Sequence, residues 1–198
     1  MPRIAVNNTQ LYYEDSGPKN RPALVLSHGL LWDTMLFHRQ VAALRNDYRV
    51  VCFDHRGQGR SEIPATPSIA IETLFDDAVA LIEALGLGPC HFGGLSMGGF
   101  VGLRLAIRRP DLLRSCTLLE TSADAEDPAQ SQRYRVLNAI ARYVGLDPVA
   151  DRVMPIMFGQ TMLNDPSRRR ERDYWRDRLL ANGRTIYRAV NGVLERDS

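Results

Sequence analysis

The chain has 198 residues, of which 44% are apolar and 24% are charged. This composition is typical of a globular domain with one substantial core and excludes a disordered chain. The formal net charge of +2 is too small to indicate nucleic acid or an anionic membrane as a partner.

The sequence shows none of the segments that carry a chain to or through a membrane. It contains no run of about 18 apolar residues, which a membrane-spanning helix needs, and no apolar secretion signal at the start. The three cysteines, Cys52, Cys90 and Cys116, lie within apolar runs, and their odd number argues against a disulfide framework. We therefore expect a cytoplasmic protein with no membrane partner.

The first elements along the chain are strands. Residues 4–6 and 11–14 alternate apolar and polar side chains, which predicts two half-buried strands. Residues 23–27 are an almost continuous apolar run, which predicts a strand buried on both faces. Residues 33–44 then predict the first helix.

A second strand and helix follow the first pair. Residues 48–53 predict another buried strand, and residues 54–61 form a glycine-rich loop. The apolar side chains of the next segment recur at helical spacing, at Ile71, Leu74, Phe75, Ala78, Leu81, Ile82 and Leu85. This spacing predicts one buried face of a helix over residues 71–85.

The pattern then repeats once more. Residues 90–95 predict a buried strand, residues 97–109 a helix that ends before Pro110, and residues 113–120 a further strand. Strands that alternate with helices across short links favour an α/β fold. We therefore expect a mostly parallel sheet with helices on both faces.

The character of the sequence changes after Ser122. Residues 123–198 show helical periodicity in pieces, several clusters of arginine with acidic residues, and no convincing strand. The sequence thus predicts two domains, an α/β core over residues 1–122 and a helical domain over residues 123–198.

Residues 94–98 read Gly-Leu-Ser-Met-Gly and fit the pattern G-x-S-x-G between a predicted strand and a predicted helix. A serine at such a sharp turn is held in a strained backbone conformation, and the flanking glycines let neighbouring backbone pass closely. The geometry would project the hydroxyl of Ser96 as a nucleophile. The alternative is a glycine-rich turn with an incidental serine.

A serine nucleophile also needs hydrogen-bond donors for the oxyanion that forms on the substrate. The backbone N–H of Met97, directly after Ser96, is in position to be one donor. The second donor normally comes from the loop after an earlier strand, and here we expect it to be the backbone N–H of Leu30.

Three motifs resemble the α/β-hydrolase superfamily, and together they cover roughly residues 3–122 at the right spacing. They are Ser27-His28-Gly29, the loop at residues 54–61, and residues 91–99 around Ser96. The last is most similar to the 3-oxoadipate enol-lactonases and related small esterases and lactonases. The resemblance implies hydrolysis of a small ester or lactone through an acyl-enzyme on Ser96, with residues 123–198 as a helical cap.

The resemblance also implies a catalytic acid and a histidine, which follow the serine along the chain in this fold. The chain has four histidines, and all of them precede Ser96: His28, His38, His55 and His91. We therefore expect the acid and the histidine to lie outside these residues, in a C-terminal segment lost by truncation, splitting or cleavage of a longer chain. The partners expected are this companion segment or a second copy of the chain. The isolated chain should then be nearly inactive.

Two residues of the chain are the alternatives for these roles. His28 resembles the structural histidine of the superfamily, so its ring is expected to order the loop that it begins. Glu120 ends the last predicted strand, where some superfamily members carry their acid, and a pocket-wall or loop-anchoring role is the other interpretation.

The side chains expected to line a substrate pocket are Trp32, Phe100, Glu120 and Thr121. Core packing is the competing interpretation for Phe100 and Thr121. No spaced cluster of cysteine and histidine indicates a metal site, and Gly57-Gln58-Gly59 lacks the third glycine of a dinucleotide fingerprint. We expect no cofactor.

Two other functions remain open at this stage. The same nucleophile serves C–C bond hydrolases and perhydrolases, and a non-catalytic ligand-binding module can be built on a hydrolase scaffold.

Overall fold

The computed structural model describes residues 2–197, so the outer ends of the two expected domains, at Met1 and Ser198, lie outside the described residues. Two compact units are present, and each is described by itself. The sheet unit consists of residues 2–126 with residues 188–197, and the helical unit consists of residues 127–187.

One six-stranded sheet organises the sheet unit. Its strands are β1 (Arg3–Val6), β2 (Thr9–Ser16), β3 (Ala23–Ser27), β4 (Arg49–Phe53), β5 (Cys90–Leu95) and β6 (Leu113–Leu119). They lie side by side in the order β1-β2-β4-β3-β5-β6. Strands β3 to β6 pair in parallel, whereas β1 and β2 form an antiparallel edge. The predicted mostly parallel sheet is thus confirmed.

Helices cover both faces of this sheet, as predicted. They are α1 (His38–Leu44), α2 (Ile71–Ala84) and α3 (Met97–Arg108). Val41 and Leu44 of α1 pack on a cluster that contains Leu26. On α3, a Cβ atom built at Gly102 would lie 3.2 Å from Cε1 of Phe92. Because Phe92 pairs with Val25, the neighbour of Leu26 on β3, α1 and α3 lie on opposite faces.

The helical unit contains no strand over its residues 127–187. Its helices are α4 (Pro128–Tyr143), α5 (Ala150–Met157), α6 (Gln160–Asn164) and α7 (Arg169–Leu180). The carboxylate of Asp127 accepts the N–H groups of Ala129 and Gln130 at 2.9 and 3.0 Å, and it thereby caps α4. Small and branched side chains form the buried core of this unit, among them Leu137, Ala141, Val149, Val153 and Leu179.

The last helix, α8 (Tyr187–Leu194), starts at the end of the helical unit, but its remaining residues belong to the sheet unit. The N–H of Ile69 donates to the carbonyl of Arg188 at 3.0 Å, and the side-chain amide of Asn191 donates to the carbonyl of Pro67 at 3.2 Å. The sequence had assigned all of residues 123–198 to one helical domain. The structure instead groups residues 188–197 with the sheet unit because of these contacts. Among residues 2–197, no helix is long and apolar enough to span a bilayer.

Candidate active site

Ser96 lies at the sharp turn between β5 and α3. Its backbone has φ of +49° and ψ of −113°, a conformation that non-glycine residues rarely adopt and that costs roughly 1–3 kcal/mol. Hydrogen bonds hold the turn, since Ser96 N–H donates to the carbonyl of Leu119 and Phe100 N–H donates to that of Ser96. The side chain is half-buried, and within residues 2–197 its hydroxyl makes no hydrogen bond.

Glycines on either side of Ser96 allow the close contacts that this turn requires. A Cβ atom at Gly94 would lie 2.3 Å from the carbonyl oxygen of Gly98, and one at Gly98 would lie 2.1 Å from the carbonyl oxygen of Ser27. Both distances are far below van der Waals contact, so neither position accepts a side chain without backbone movement. The first turn of α3 is thus fixed against the end of β3.

The loop after β3 turns beside Ser96. Trp32 N–H donates to the carbonyl of Gly29 at 3.4 Å, and Leu31, the third residue of this turn, has φ of +73°. A positive φ at the third residue is characteristic of a type II turn, in which glycine or asparagine normally occupies that position. A Cβ atom at Gly29 would lie 3.6 Å from Cβ of Ser96, so the turn contacts the candidate nucleophile.

The two backbone N–H groups predicted to bind the oxyanion have no acceptor among residues 2–197. They belong to Leu30, in the turn after β3, and to Met97, the first residue of α3. The N-terminus of α3 also presents the positive end of the helix dipole to the same region. The two groups predicted to form the oxyanion hole therefore remain available to bind negative charge, and their role stays a prediction.

The buried histidines make structural contacts instead of meeting Ser96. His28 donates from Nδ1 to the carbonyl of Gly29 at 2.8 Å, and its Nε2 accepts the N–H of His55 at 3.0 Å. His55 Nε2 lies 2.8 Å from Oγ of Ser27, and its buried Nδ1 has no partner within the described residues. Burial lowers the pKa of His28, against the opposing field of Asp54, and it lowers the pKa of His55 far more strongly.

The remaining histidines lie elsewhere in the sheet unit. His38 is exposed at the start of α1 and contacts the carbonyl of Met35, and His91 bonds to Oγ of Ser115 near the start of β5, at the opposite end of that strand from Ser96. None of the four histidines hydrogen-bonds to Ser96. The origin of a base for Ser96 therefore stays a prediction.

Glu120 is the first residue after β6, just as Ser96 is the first residue after β5. It also has a positive φ, of +44°, and its side chain is exposed. In the part of the chain that the structure describes, its carboxylate forms no hydrogen bond or ion pair. Strained residues cluster at functional sites. Glu120 therefore keeps both of its interpretations, as an acid and as a wall of the site.

The other residues predicted to line a pocket differ in exposure. Trp32 and Phe100 are buried, and the guanidinium carbon of Arg196 lies 4.2 Å from the centre of the Phe100 ring. Thr121 is half-buried and donates its hydroxyl to the carbonyl of Ser96 at 3.0 Å. Thr121 and Phe100 therefore brace the turn around Ser96, and contact with substrate remains a prediction for all four residues.

The sequence-based reasoning missed Gln58, a buried polar residue of the glycine-rich loop after β4. Its Oε1 accepts the N–H of Leu31 at 2.8 Å, and its Nε2 donates to Sδ of Met97 at 3.6 Å. The only signal in the sequence was its place in this loop, because the two contacts join segments that are distant along the chain. In residues 2–197 no group of three or more His, Cys, Asp or Glu side chains could hold a metal ion.

The motifs and the fold agree with a comparison to known families. The model of the alpha/beta hydrolase fold family matches residues 22–192. The chain belongs to this family. The resemblance inferred from the three sequence motifs is thereby confirmed.

Two of the curated relatives are named as enol-lactonases, the branch that the motifs resemble. The chain is 30% identical to 3-oxoadipate enol-lactonase 2 of Acinetobacter baylyi over 82% of its own length and 59% of that protein. It is 36% identical to 3-oxoadipate enol-lactonase 1 of the same organism, over 61% of this chain and 46% of the relative. The chain thus spans about half of the length of these curated relatives.

Solved structures show the same similarity. The crystal structure of the enol-lactonase from Burkholderia xenovorans LB400 superposes with a TM-score of 0.88 at 33% identity. The superposition covers 99% of this chain and 74% of that chain. The three similar proteins are thus all named or described as enol-lactonases.

Proposed function

We propose that this chain provides the nucleophile and the oxyanion hole of a hydrolase that acts on a small carboxylic ester or lactone. One observation carries the proposal. The hydroxyl of Ser96 is free and half-buried on a strained turn, and the N–H groups of Leu30 and Met97 nearby have no acceptor among residues 2–197. This is the arrangement that acyl transfer through a serine requires.

In the proposed reaction Oγ of Ser96 forms a bond to the carbonyl carbon of the substrate and gives its proton to a base. Negative charge develops on the carbonyl oxygen, where the N–H groups of Leu30 and Met97 stabilise it. The bond to the leaving alkoxide then breaks, and the base returns the proton to that oxygen. Water repeats the sequence on the acyl-enzyme and releases the acid and the free serine.

The base is proposed to come from a companion segment. Both ring nitrogens of His28 are engaged, and His55 is completely buried and makes no hydrogen bond to Ser96, so neither is placed to accept the proton of Ser96. Strand β6 is an edge strand with no partner on its outer side among the described residues, and Leu118 and Leu119 on it are about 40% exposed. This edge is where a companion segment would pair.

The proposed substrate class comes from the relatives. Two of them are named as 3-oxoadipate enol-lactonases, and a third similar protein is described as an enol-lactonase. From these names we take only the substrate class, which is a small molecule with an ester or lactone carbonyl. A nucleic acid or a membrane is not part of the proposal.

A fluorophosphonate probe tests the nucleophile, because it phosphonylates an activated serine and mimics the tetrahedral intermediate. The complete gene product should react, and mass spectrometry should locate the adduct on the peptide that contains Ser96. Ser96→Ala should abolish the adduct and lower kcat for a lactone by a factor on the order of 10⁶. Ser115→Ala, which removes an exposed hydroxyl of β6, is the control and should react as the parent does.

A second measurement tests the companion segment. Residues 1–198 produced alone should react with the probe very slowly, because no base deprotonates Ser96. An adduct on another residue, or undiminished turnover in Ser96→Ala, would refute the proposed nucleophile. Rapid reaction of residues 1–198 alone would refute only the proposed origin of the base.

A further inference from the structure

The side chain of Gln58 connects the two backbone segments that would form the oxyanion hole, namely the turn after β3 and the start of α3. It is 3% exposed and lies in the loop after β4. Its carbonyl oxygen accepts the N–H of Leu31, the neighbour of Leu30, and its amide nitrogen contacts the sulfur of Met97. One buried amide thus contacts a residue on each side of the place where the oxyanion would form.

The turn at Leu31 needs an external partner. Leucine at φ of +73° costs roughly 1–2 kcal/mol relative to an ordinary backbone conformation. A buried N–H without an acceptor would add about 1–3 kcal/mol. The hydrogen bond from Leu31 to Gln58, at 2.8 Å, removes the second cost and thereby helps to hold the strained turn.

The conformation of this turn decides where Leu30 points. The peptide between Leu30 and Leu31 is the central peptide of the Gly29–Trp32 turn, and without its bond to Gln58 the whole turn, including the neighbouring peptide that carries the N–H of Leu30, would be less firmly held. On the other side, Met97 is fully buried, and contact of its sulfur with the amide of Gln58 ties the side chain to the same loop.

We infer that Gln58 is a positioning residue, which acts on the reaction by holding the Leu30 and Met97 N–H groups at the separation that the oxyanion requires. Gln58 itself does not touch the reacting atoms. This inference rests on the proposed function, because it concerns the geometry of the same oxyanion hole.

Gln58→Met tests the inference, since methionine has a similar length but offers the Leu31 N–H only the weak acceptor of a thioether. In the complete gene product we expect phosphonylation of Ser96 to slow about 100-fold, the cost typical of a misplacement of about 1 Å. For a lactone substrate kcat should fall while KM changes by less than about twofold, because the oxyanion is absent from the ground state. Amide hydrogen exchange at Leu31 should accelerate on the order of tenfold.

Ser61→Ala is the matched control. Ser61 lies in the same loop and is buried, and it loses two hydrogen bonds on substitution, one to the N–H of Tyr12 at 2.9 Å and one to the carbonyl of Asp54 at 2.5 Å. It touches neither Leu31 nor Met97. A general loss of stability in this loop would affect both variants, whereas the fall in phosphonylation rate and the exchange at Leu31 should appear only in Gln58→Met.

Gln58→Glu is a second variant, useful if Gln58→Met does not fold. Its carboxyl group keeps an acceptor for the Leu31 N–H, so exchange at Leu31 should stay slow. When the pH is raised and the carboxyl group ionises, its charge should oppose the oxyanion, and phosphonylation should slow relative to the parent protein at the same pH. At low pH, where the carboxyl group is neutral and still accepts the Leu31 N–H, Gln58→Glu should react at nearly the rate of the parent protein, and a loss of about 100-fold there would contradict the positioning role.

The outcomes separate the inference from the function on which it rests. If the parent protein does not react with the probe, the proposed function fails, and exchange at Leu31 still tests whether Gln58 holds the turn. If the parent reacts and Gln58→Met reacts equally fast, or if Leu31 exchange is unchanged, the positioning role is refuted while the nucleophile stands.

Discussion

The sheet unit and the helical unit differ in the burial of their charged side chains and in the space around their glycines. In the sheet unit, Asp54 is fully buried, and its carboxylate accepts the N–H of Thr34 at 2.7 Å and that of Arg60 at 2.8 Å. In the helical unit, the ion pair between Arg169 and Asp173 is largely exposed, with 3.8 Å between nitrogen and oxygen. The buried hydrogen bonds of Asp54 fix the backbone of two loops, whereas water screens the exposed ion pair.

This difference indicates that the proposed chemistry depends on fixed backbone geometry in the sheet unit. The loops after β3 and β5 contribute the free N–H groups and the candidate nucleophile, the loop after β4 contributes Gln58, and buried side chains hold all three loops. The exposed ion pairs described for the helical unit do not hold its backbone in this way. We therefore expect substitutions of the same type to have large effects in the sheet unit and small effects in the helical unit.

The largest difference should come from paired arginine substitutions. Arg56 donates from Nε to Asp77 at 2.6 Å, and the side chain of Asp77 is completely buried. Burial raises the pKa of Asp77 although Arg56 opposes this shift. Arg56→Met would leave a buried carboxylate with only Asn7 as its side-chain partner and should lower the free energy of unfolding by about 3–5 kcal/mol.

The matched substitution in the helical unit is Arg169→Met, which removes the exposed pair with Asp173 and should change stability by less than about 1 kcal/mol. Urea denaturation of both variants measures the difference. Equal losses of stability would show that the two units do not differ in the way their charges are used.

Glycine substitutions should give the next largest effect. Gly98→Ala places a methyl group 2.1 Å from the carbonyl oxygen of Ser27, and because backbone must move, we expect a loss of about 3 kcal/mol and slower phosphonylation of Ser96. Gly159→Ala in the helical unit meets no atom within 4 Å and should change stability by less than about 0.5 kcal/mol. Thermal unfolding distinguishes the two, and a tolerated alanine at residue 98 would contradict the packing of the turn.

Acidification should destabilise the sheet unit through His28 and His55. Burial lowers the pKa of both side chains, so they stay neutral in the folded state, whereas the unfolded chain takes up protons below about pH 6.5. The unfolded state then binds more protons. The free energy of unfolding should therefore be flat above about pH 6.5 and should fall below it, by at most about 2.7 kcal/mol per pH unit for two protons.

Urea denaturation between about pH 7 and pH 5.5 measures this slope. His55→Gln, which keeps a group able to bond to Ser27, should reduce the slope to about half. A free energy of unfolding that stays constant over this range would show that the buried pair does not resist protonation. The described part of the helical unit contains no histidine, so this dependence should originate in the sheet unit.

The smallest expected effect is at the first residue of the helical unit. Asp127→Ala removes the side-chain cap of α4 and should cost about 1 kcal/mol, with faster amide exchange confined to the first turn of that helix. Phosphonylation of Ser96 should not change. Asp127→Asn keeps a capping oxygen and is the control; loss of reactivity in either variant would contradict the separation of the two units.

Much of the fold could be predicted from local patterns. The strands predicted at residues 23–27 and 90–95 have those bounds in the structure, and the helix predicted over residues 71–85 spans Ile71–Ala84. Apolar periodicity determines these elements because each strand or helix face must be buried. The assignment of residues 188–197 to the helical domain differed from the structure, since helical periodicity does not say which surface a helix packs against.

Local sequence patterns specify the order of strands and helices and the sharp turn at Ser96, and the four histidines of these residues all precede that turn. These features depend on residues that are neighbours along the chain. The folded chain, in contrast, places Gly29 against Ser96, brings the N–H of His55 to Nε2 of His28, and joins Leu31 to Met97 through Gln58. Such contacts join segments tens of residues apart, and they exist only once the parallel strands bring their ends to one edge of the sheet.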